Sequence, residues 1–288
     1  MTYSILGRET GSGALGVAVQ SKFPGVGTIV PHGRAGVGCI ATQAFASPHH
    51  GTVILDLLER GATPDEAVAI ALRGDNAADE RQLAVLSAGG RSAAHTGPAI
   101  GAWQGASGAV PGAESLAVGN SLAHPTVLEA MTRAFETTTG ELASRLIEAL
   151  RAGRDAGGEI RGQQSAAVAV WAPAGGYGGQ TGRTVDISVY DHPEPIEELA
   201  RCYALHRLSY FPSNPDSLTP IADELARELK RLLHARGFNV DPENSTWDDA
   251  AIAALKRFMG MENYDNRLRD DAWIDQEVLD DLRARYQY

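Results

Sequence analysis

Two cysteines in 288 residues are too few for a disulfide framework. Cys39 and Cys202 also stand apart, in apolar surroundings and at no zinc-ligand spacing, so both read as buried thiols. No apolar run approaches about 18 residues, which excludes an obvious membrane-spanning helix. The first residues lack the basic, apolar and small-residue order of a secretory signal. The expectation is a soluble, cytoplasmic protein. Basic charge is scarce as well. Twenty-five Lys and Arg face 36 Asp and Glu, a formal charge of −11, which argues against nucleic acid and an anionic membrane surface as partners. No internal repeat or low-complexity tract interrupts the chain. The run Gly175-Gly176-Tyr177-Gly178-Gly179 lacks the Gly-Lys-Ser/Thr ending of a phosphate loop and reads as a turn. His49 and His50 are adjacent and share no helical face, and no carboxylate lies at ligand spacing. Neither a metal site nor a cofactor is expected.

What the chain does have is a change of rhythm. Residues 2–7 form a β-prone apolar run, Thr10-Gly11-Ser12-Gly13 is a turn signal, and Leu15 to Ser21 alternates as a second run. The two read as a hairpin. Thr28–Val30 and Val37–Thr42 read as further strands, with small residues that let another layer approach closely. Residues 44–50 read as a break. Val53, Ile54, Leu57 and Leu58 then share a helical face, and Thr63-Pro64-Asp65-Glu66 is a capping box that opens a second helix. Strands return at Gln82–Leu86 and Ser92–Thr96. Residues 97–113 read as a long loop, and Ser115–Val118 as a strand ending in Gly119-Asn120. Two more helices follow, one carrying Val127, Leu128, Met131 and Phe135, the other Leu142, Leu146, Ile147 and Leu150. After a polar loop at 154–163 come strands at Ala166–Trp171 and Thr184–Tyr190, then a helix from Pro195 to Tyr210.

Phe211-Pro212-Ser213-Asn214-Pro215 reads as a linker. It divides a domain at 1–212 from a small three-helix module at 213–288. Helices in the larger domain arrive in antiparallel pairs and strands in antiparallel groups. The economical α+β architecture is a four-layer α-β-β-α sandwich, two stacked antiparallel sheets with helix pairs on the outer faces.

The opening Thr2-Tyr3-Ser4-Ile5 adds a chemical possibility. If Met1 is removed, Thr2 carries a hydroxyl and a free α-amine on one residue, a nucleophile with its own base. Further motifs are Gly16-Val17-Ala18-Val19-Gln20-Ser21-Lys22-Phe23, Ala35-Gly36-Val37-Gly38, Ala41-Thr42-Gln43, Arg81-Gln82-Leu83, Ala94-His95-Thr96-Gly97, Gly119-Asn120 and Gln164-Ser165-Ala166-Ala167. With these, the chain over roughly residues 1–210 resembles the uncharacterised family known as domain of unknown function 1028, within the N-terminal nucleophile hydrolase superfamily. The tail, roughly 217–288, resembles a peptidoglycan-binding helical module sometimes attached to that family.

The resemblance implies a fold and an activity. The fold is the sandwich above, and homodimerisation is expected of it. The activity is hydrolysis of a small linear or cyclic amide by Thr2. Hairpin geometry brings the end of the second strand beside Thr2, so Lys22 is the candidate cation for the amine and the developing negative charge. The proteasome-like pattern instead puts its lysine nearer the positions of His32 and Arg34. Oxyanion donors are expected from the backbone at Gln43 or Ala44 and from the Asn120 amide. Ser21, Phe23, His49 and His95 are candidates for the substrate pocket. The competing reading is a non-catalytic binding protein on the same scaffold, recognising a cell-wall fragment, a small molecule or a protein partner.

Overall fold

The computed structural model describes residues 1–176 and 179–286. Tyr177 and Gly178, inside the expected glycine-rich turn, lie outside them. The chain forms two compact units, Met1–Tyr203 and Ala204–Tyr288.

The first unit is α+β with antiparallel sheets. Its larger sheet has six strands in the order β10-β9-β2-β1-β8-β7. They are β1 (Thr2–Glu9), β2 (Ala14–Ser21), β7 (Ala106–Pro111), β8 (Ser115–Leu122), β9 (Ser165–Trp171) and β10 (Arg183–Val189). The smaller sheet has the order β3-β4-β5-β6, from Pro31–Arg34, Gly38–Ala44, Arg81–Ser87 and Ser92–Thr96. Successive side chains of a strand point to opposite faces. That period puts Leu6, Val17, Val19 and Val118 on the face of the large sheet that meets Cys39, Ala41, Ala84 and Leu86 of the small one, in a single apolar cluster. The other face of the small sheet packs Ile40, Leu83 and Val85 against α1 (Pro48–Glu59) and α2 (Pro64–Leu72). The other face of the large sheet receives α3 (Thr126–Thr137) and α4 (Leu142–Asp155). Here glycine is a spacing device. A Cβ on Gly7 would lie 2.4 Å from the Phe135 ring, and one on Gly16 would lie 2.5 Å from Leu146.

Several elements differ from their sequence expectation. The stretch expected as a strand at Thr28–Val30 is a 3-10 turn at Val26–Thr28, entered through Gly25 at φ 63, and the strand forms later at β3. The last three residues of the expected break at 44–50 are already the start of α1, which uses Pro48 in its first turn. The expected loop 97–113 holds a 3-10 turn at Pro98–Ala102 and the edge strand β7, whose terminal Pro111 needs no ladder donor. β8 runs on to Leu122, so Asn120 lies within the strand rather than at its end. The capping box is present as read. Thr63 accepts from the Glu66 amide at 3.3 Å, and the Thr63 amide donates to Glu66 at 2.8 Å. Cys39 is buried, but Cys202 is only half-buried on α5 (Pro195–Tyr210).

The break between units falls inside α5 rather than at the expected 212/213 boundary. Tyr203 donates its hydroxyl to Glu141 of the first unit at 2.8 Å, whereas Leu208 is buried in the core of the second. That core is built by α6 (Asp223–Ala235), α7 (Asp249–Met261) and α8 (Gln276–Arg285). A two-stranded ladder, β11 (Leu218–Pro220) with β12 (Trp273–Asp275), joins them and was not legible in the sequence. Among the described residues no helix is long and apolar enough to cross a membrane.

Candidate functional site

The apolar layer between the two sheets turns polar at one end. β1 and β2 pair in the register Thr2↔Ser21, and β1 and β8 in the register Thr2↔Asn120. Three polar side chains on adjacent strands thus share the inter-sheet face. β4 and β5 pair Gln43 with Gln82 on the facing sheet. All of these side chains are buried, with Thr2 5% exposed and Asn120 fully enclosed. Buried amides and hydroxyls are costly unless every group is satisfied.

The satisfaction is extensive and its centre is Gln82. The Gln82 Oε1 accepts from Asn120 Nδ2 at 2.7 Å and from Gln43 Nε2 at 2.8 Å. Its Nε2 donates to the Gly119 carbonyl at 2.8 Å and to Thr96 Oγ1 at 2.9 Å. Asn120, fixed from behind, turns Oδ1 toward the Thr2 backbone nitrogen, 3.1 Å away. Gln43 Nε2 also donates to the Thr2 carbonyl at 3.2 Å, while its Oε1 accepts from Ser4 Oγ at 2.7 Å. The Thr2 hydroxyl lies 3.0 Å from Ser21 Oγ. Ser21 in turn donates to the Met1 carbonyl at 2.7 Å. Backbone strain sits beside two of these residues. Ala44 has φ 66 and Ser121 has φ 53, left-handed values that non-glycine residues adopt at a cost.

A second, charged group borders the first. Glu159 is buried, and its Oε2 accepts from the Lys22 backbone amide at 2.9 Å. Its Oε1 pairs with Arg161 Nε at 2.6 Å. Arg161 Nη2 reaches the Met1 carbonyl at 3.3 Å. The Met1 α-ammonium is held below its ordinary range chiefly by burial, with the Arg161 charge acting in the same direction and Glu159 opposing it.

Of the residues expected at the site, Thr2, Ser21, Gln43 and Asn120 come together. Lys22 does not join their hydrogen-bond network. It lies one residue past the end of β2, exposed, and Nζ donates to the Gln163 carbonyl at 3.1 Å. Phe23 is 52% exposed beyond it. His49 is exposed in the first turn of α1. His95 alternates away from Thr96, and its Nε2 lies 3.0 Å from the Ala78 carbonyl. Gln82, Glu159 and Arg161 were missed. Gln82 offered a signal, a buried-type strand position holding an amide. Glu159 and Arg161 sat in a segment read only as a polar loop. Two surface clefts, one of about 480 Å³ beside Gly33 and Trp171 and one of about 390 Å³ beside Val37 and Ser87, lie at the strand ends remote from Thr2.

The class defined here is an α+β domain of two antiparallel sheets whose first strand opens in a buried hydroxyl-and-amide cluster. Residues 2–199 match the model described as "Family of unknown function (DUF1028)", and the chain belongs to that family. Residues 204–282 match the model described as "Putative peptidoglycan binding domain". The crystal structure of a Silicibacter pomeroyi protein of the DUF1028 family is similar, with 33% identity over 72% of this chain and 86% of that one, and a TM-score of 0.65. Anbu (ancestral beta-subunit) from Yersinia bercovieri aligns over 73% of this chain and 96% of that one, with 12% identity and a TM-score of 0.34. No curated protein matches the chain.

Proposed function

We propose that this protein is an N-terminal nucleophile hydrolase of a small linear or cyclic amide, built as a four-layer α-β-β-α sandwich, with Thr2 as nucleophile after removal of Met1. The observation that carries the reading is the surround of Thr2. A hydroxyl on a residue 5% exposed at the start of a strand lies 3.0 Å from Ser21 Oγ, and the nitrogen of the same residue lies 3.1 Å from Asn120 Oδ1. With Met1 in place that nitrogen is an amide and cannot act as a base. Once freed it is an α-amine, with an ordinary pKa of ~7.7–8.0 that suits proton transfer at neutral pH.

In the reaction, the amine takes the Thr2 Oγ proton as Oγ attacks the amide carbonyl. The resulting ammonium gives that proton to the departing nitrogen, leaving an ester on Thr2. Water, deprotonated by the same amine, adds to the ester carbonyl, and Oγ leaves with the proton. Asn120 orients the amine through Oδ1, and Ser21 orients Oγ. The Gln43–Gln82–Asn120 amides hold the pair in a rigid frame. The homodimer expected of the resemblance is carried into this reading, and light scattering at micromolar concentration checks it.

Intact mass of the purified protein, followed by a screen against linear and cyclic amides, tests the proposal. Loss of Met1 and turnover of at least one amide are expected. Thr2→Ala should abolish that turnover with the fold unchanged, because only a hydroxyl and a methyl are removed at a strand end. Turnover surviving in Thr2→Ala would remove Thr2 from the mechanism. A second reading, recognition of a glycan or peptide without catalysis, draws on the family match of residues 204–282. It gains if Met1 is retained and cell-wall fragments bind.

A further inference from the structure

The Met1 carbonyl is held by two donors that lose this acceptor once Met1 has gone. They are Ser21 Oγ at 2.7 Å and Arg161 Nη2 at 3.3 Å. Arg161 is fixed at its inner end rather than swinging in solvent. Its Nε pairs with Glu159, whose side chain is wholly buried, and the second Glu159 oxygen is occupied by the Lys22 amide. The guanidinium has five N–H donors in a rigid fork. The Nε side faces Glu159, which leaves the Nη edge toward the place Met1 occupies, and the Arg161 side chain is 41% exposed there. Removing Met1 takes an acceptor from Nη2 and Ser21 Oγ together and opens a space bounded by a fixed cation. The shape that complements such an edge is a carboxylate, which an arginine binds through two parallel hydrogen bonds.

We propose that Arg161, anchored by Glu159, forms with Ser21 Oγ a carboxylate-binding subsite that Met1 fills in the unprocessed chain, and that the substrates are amides bearing a carboxylate, of the N-acyl amino acid kind. The substrate class rests on the hydrolase reading. The subsite does not, because it requires only that Met1 be absent. Arg161 is thereby a specificity-determining residue, in a loop with no regular secondary structure.

The test uses the full chain released with Thr2 as its first residue and two probes of the same shape, N-acetyl-L-methionine and its primary amide, titrated calorimetrically. The carboxylate is expected to bind about tenfold more tightly than the amide, the factor that one charge-assisted pair supplies. Arg161→Gln should erase the preference. Because that variant leaves Glu159 buried without its partner, the pair Glu159→Gln/Arg161→Gln is measured beside it. It removes both charges, while the side-chain carbonyl that Glu159→Gln introduces still accepts from the Lys22 amide. The double variant should melt like the parent and bind both probes equally. The chain that retains Met1 should bind neither. Equal affinity for the two probes in the parent, no binding of either, or a preference that survives in the double variant would overturn the proposal. Carboxylate preference without any amide turnover leaves this site standing and removes the hydrolase reading. Turnover with no carboxylate preference does the reverse.

Discussion

At the scale of single residues, the alternation of a strand decides who reaches Thr2. Ser21 is its cross-strand partner, so the two side chains share a face. Lys22, one step on, lies past the end of β2 and sends Nζ to the Gln163 carbonyl instead. The hairpin was legible from the turn at Thr10–Gly13, but not that the strand stops at Ser21 and leaves the lysine beyond it. Gln82 escaped for a different reason. Its four partners come from β4, β6 and β8, three strands that only the completed fold brings together. Gln82→Leu keeps the volume and removes every one of those bonds. It leaves Asn120 Nδ2 unpaired and takes an acceptor from Gln43 Nε2 in a closed interior. A loss of about 2–4 kcal/mol in urea unfolding is expected. In the processed protein any turnover should fall with it, since Asn120 loses the group that orients it.

At the scale of elements, the packing of α3 and α4 on the large sheet depends on residues with no side chain. Gly16 reads in the sequence only as a small residue inside a strand, which predicts close approach but not what approaches, and Gly7 carries no signal beyond its place in the first apolar run. The structure supplies Phe135 and Leu146. Gly7→Ala would put a methyl 2.4 Å from a fully buried aromatic ring. The ring has no open side to turn into, so helix and strand must separate. A cost of about 1–3 kcal/mol is expected by chemical denaturation. Phe135→Leu in the Gly7→Ala background should recover part of it. A simple sum of the two single effects would show that the contact is not shared. In the second unit the corresponding device is ionic. Arg267 is buried and pairs with Asp275 at 2.9 Å and with Glu277 at 2.9 Å. Asp275 also caps α8 by accepting from the Glu277 amide at 2.9 Å. The cap was readable from Asp275 at a helix start. The arginine that neutralises it was not, because 267 and 275 are joined through a loop.

At the scale of the whole molecule, the acid side of the stability curve follows from a few placed groups. His50 is buried, and burial holds its pKa below the ordinary value despite the opposing pull of Asp75 at 3.2 Å. His32 is lowered for the same first reason. A histidine lowered in the fold binds its proton more readily when unfolded. Its contribution is therefore complete above the unfolded value of ~6.5 and is lost as pH falls below it. Asp75 and Glu197 are each held down to about 2, chiefly by hydrogen bonds from Arg81 and from Arg151 with Arg154. Their contributions are present above the unfolded carboxylate range, near ~4, and are lost as pH falls toward the folded values. Stability should thus fall in two stages, a shallow one beginning near ~6.5 and a steeper one below about 4.5. Urea midpoints measured from pH 8 to pH 3 resolve them. His50→Gln should flatten the first stage and leave the second in place. Asp75→Asn should weaken the second stage and deepen the first, since His50 then loses the charge that draws its pKa back toward the ordinary value. A single acid transition unchanged by His50→Gln would mean that the histidines titrate alike in both states and that burial at α1 does not control the response.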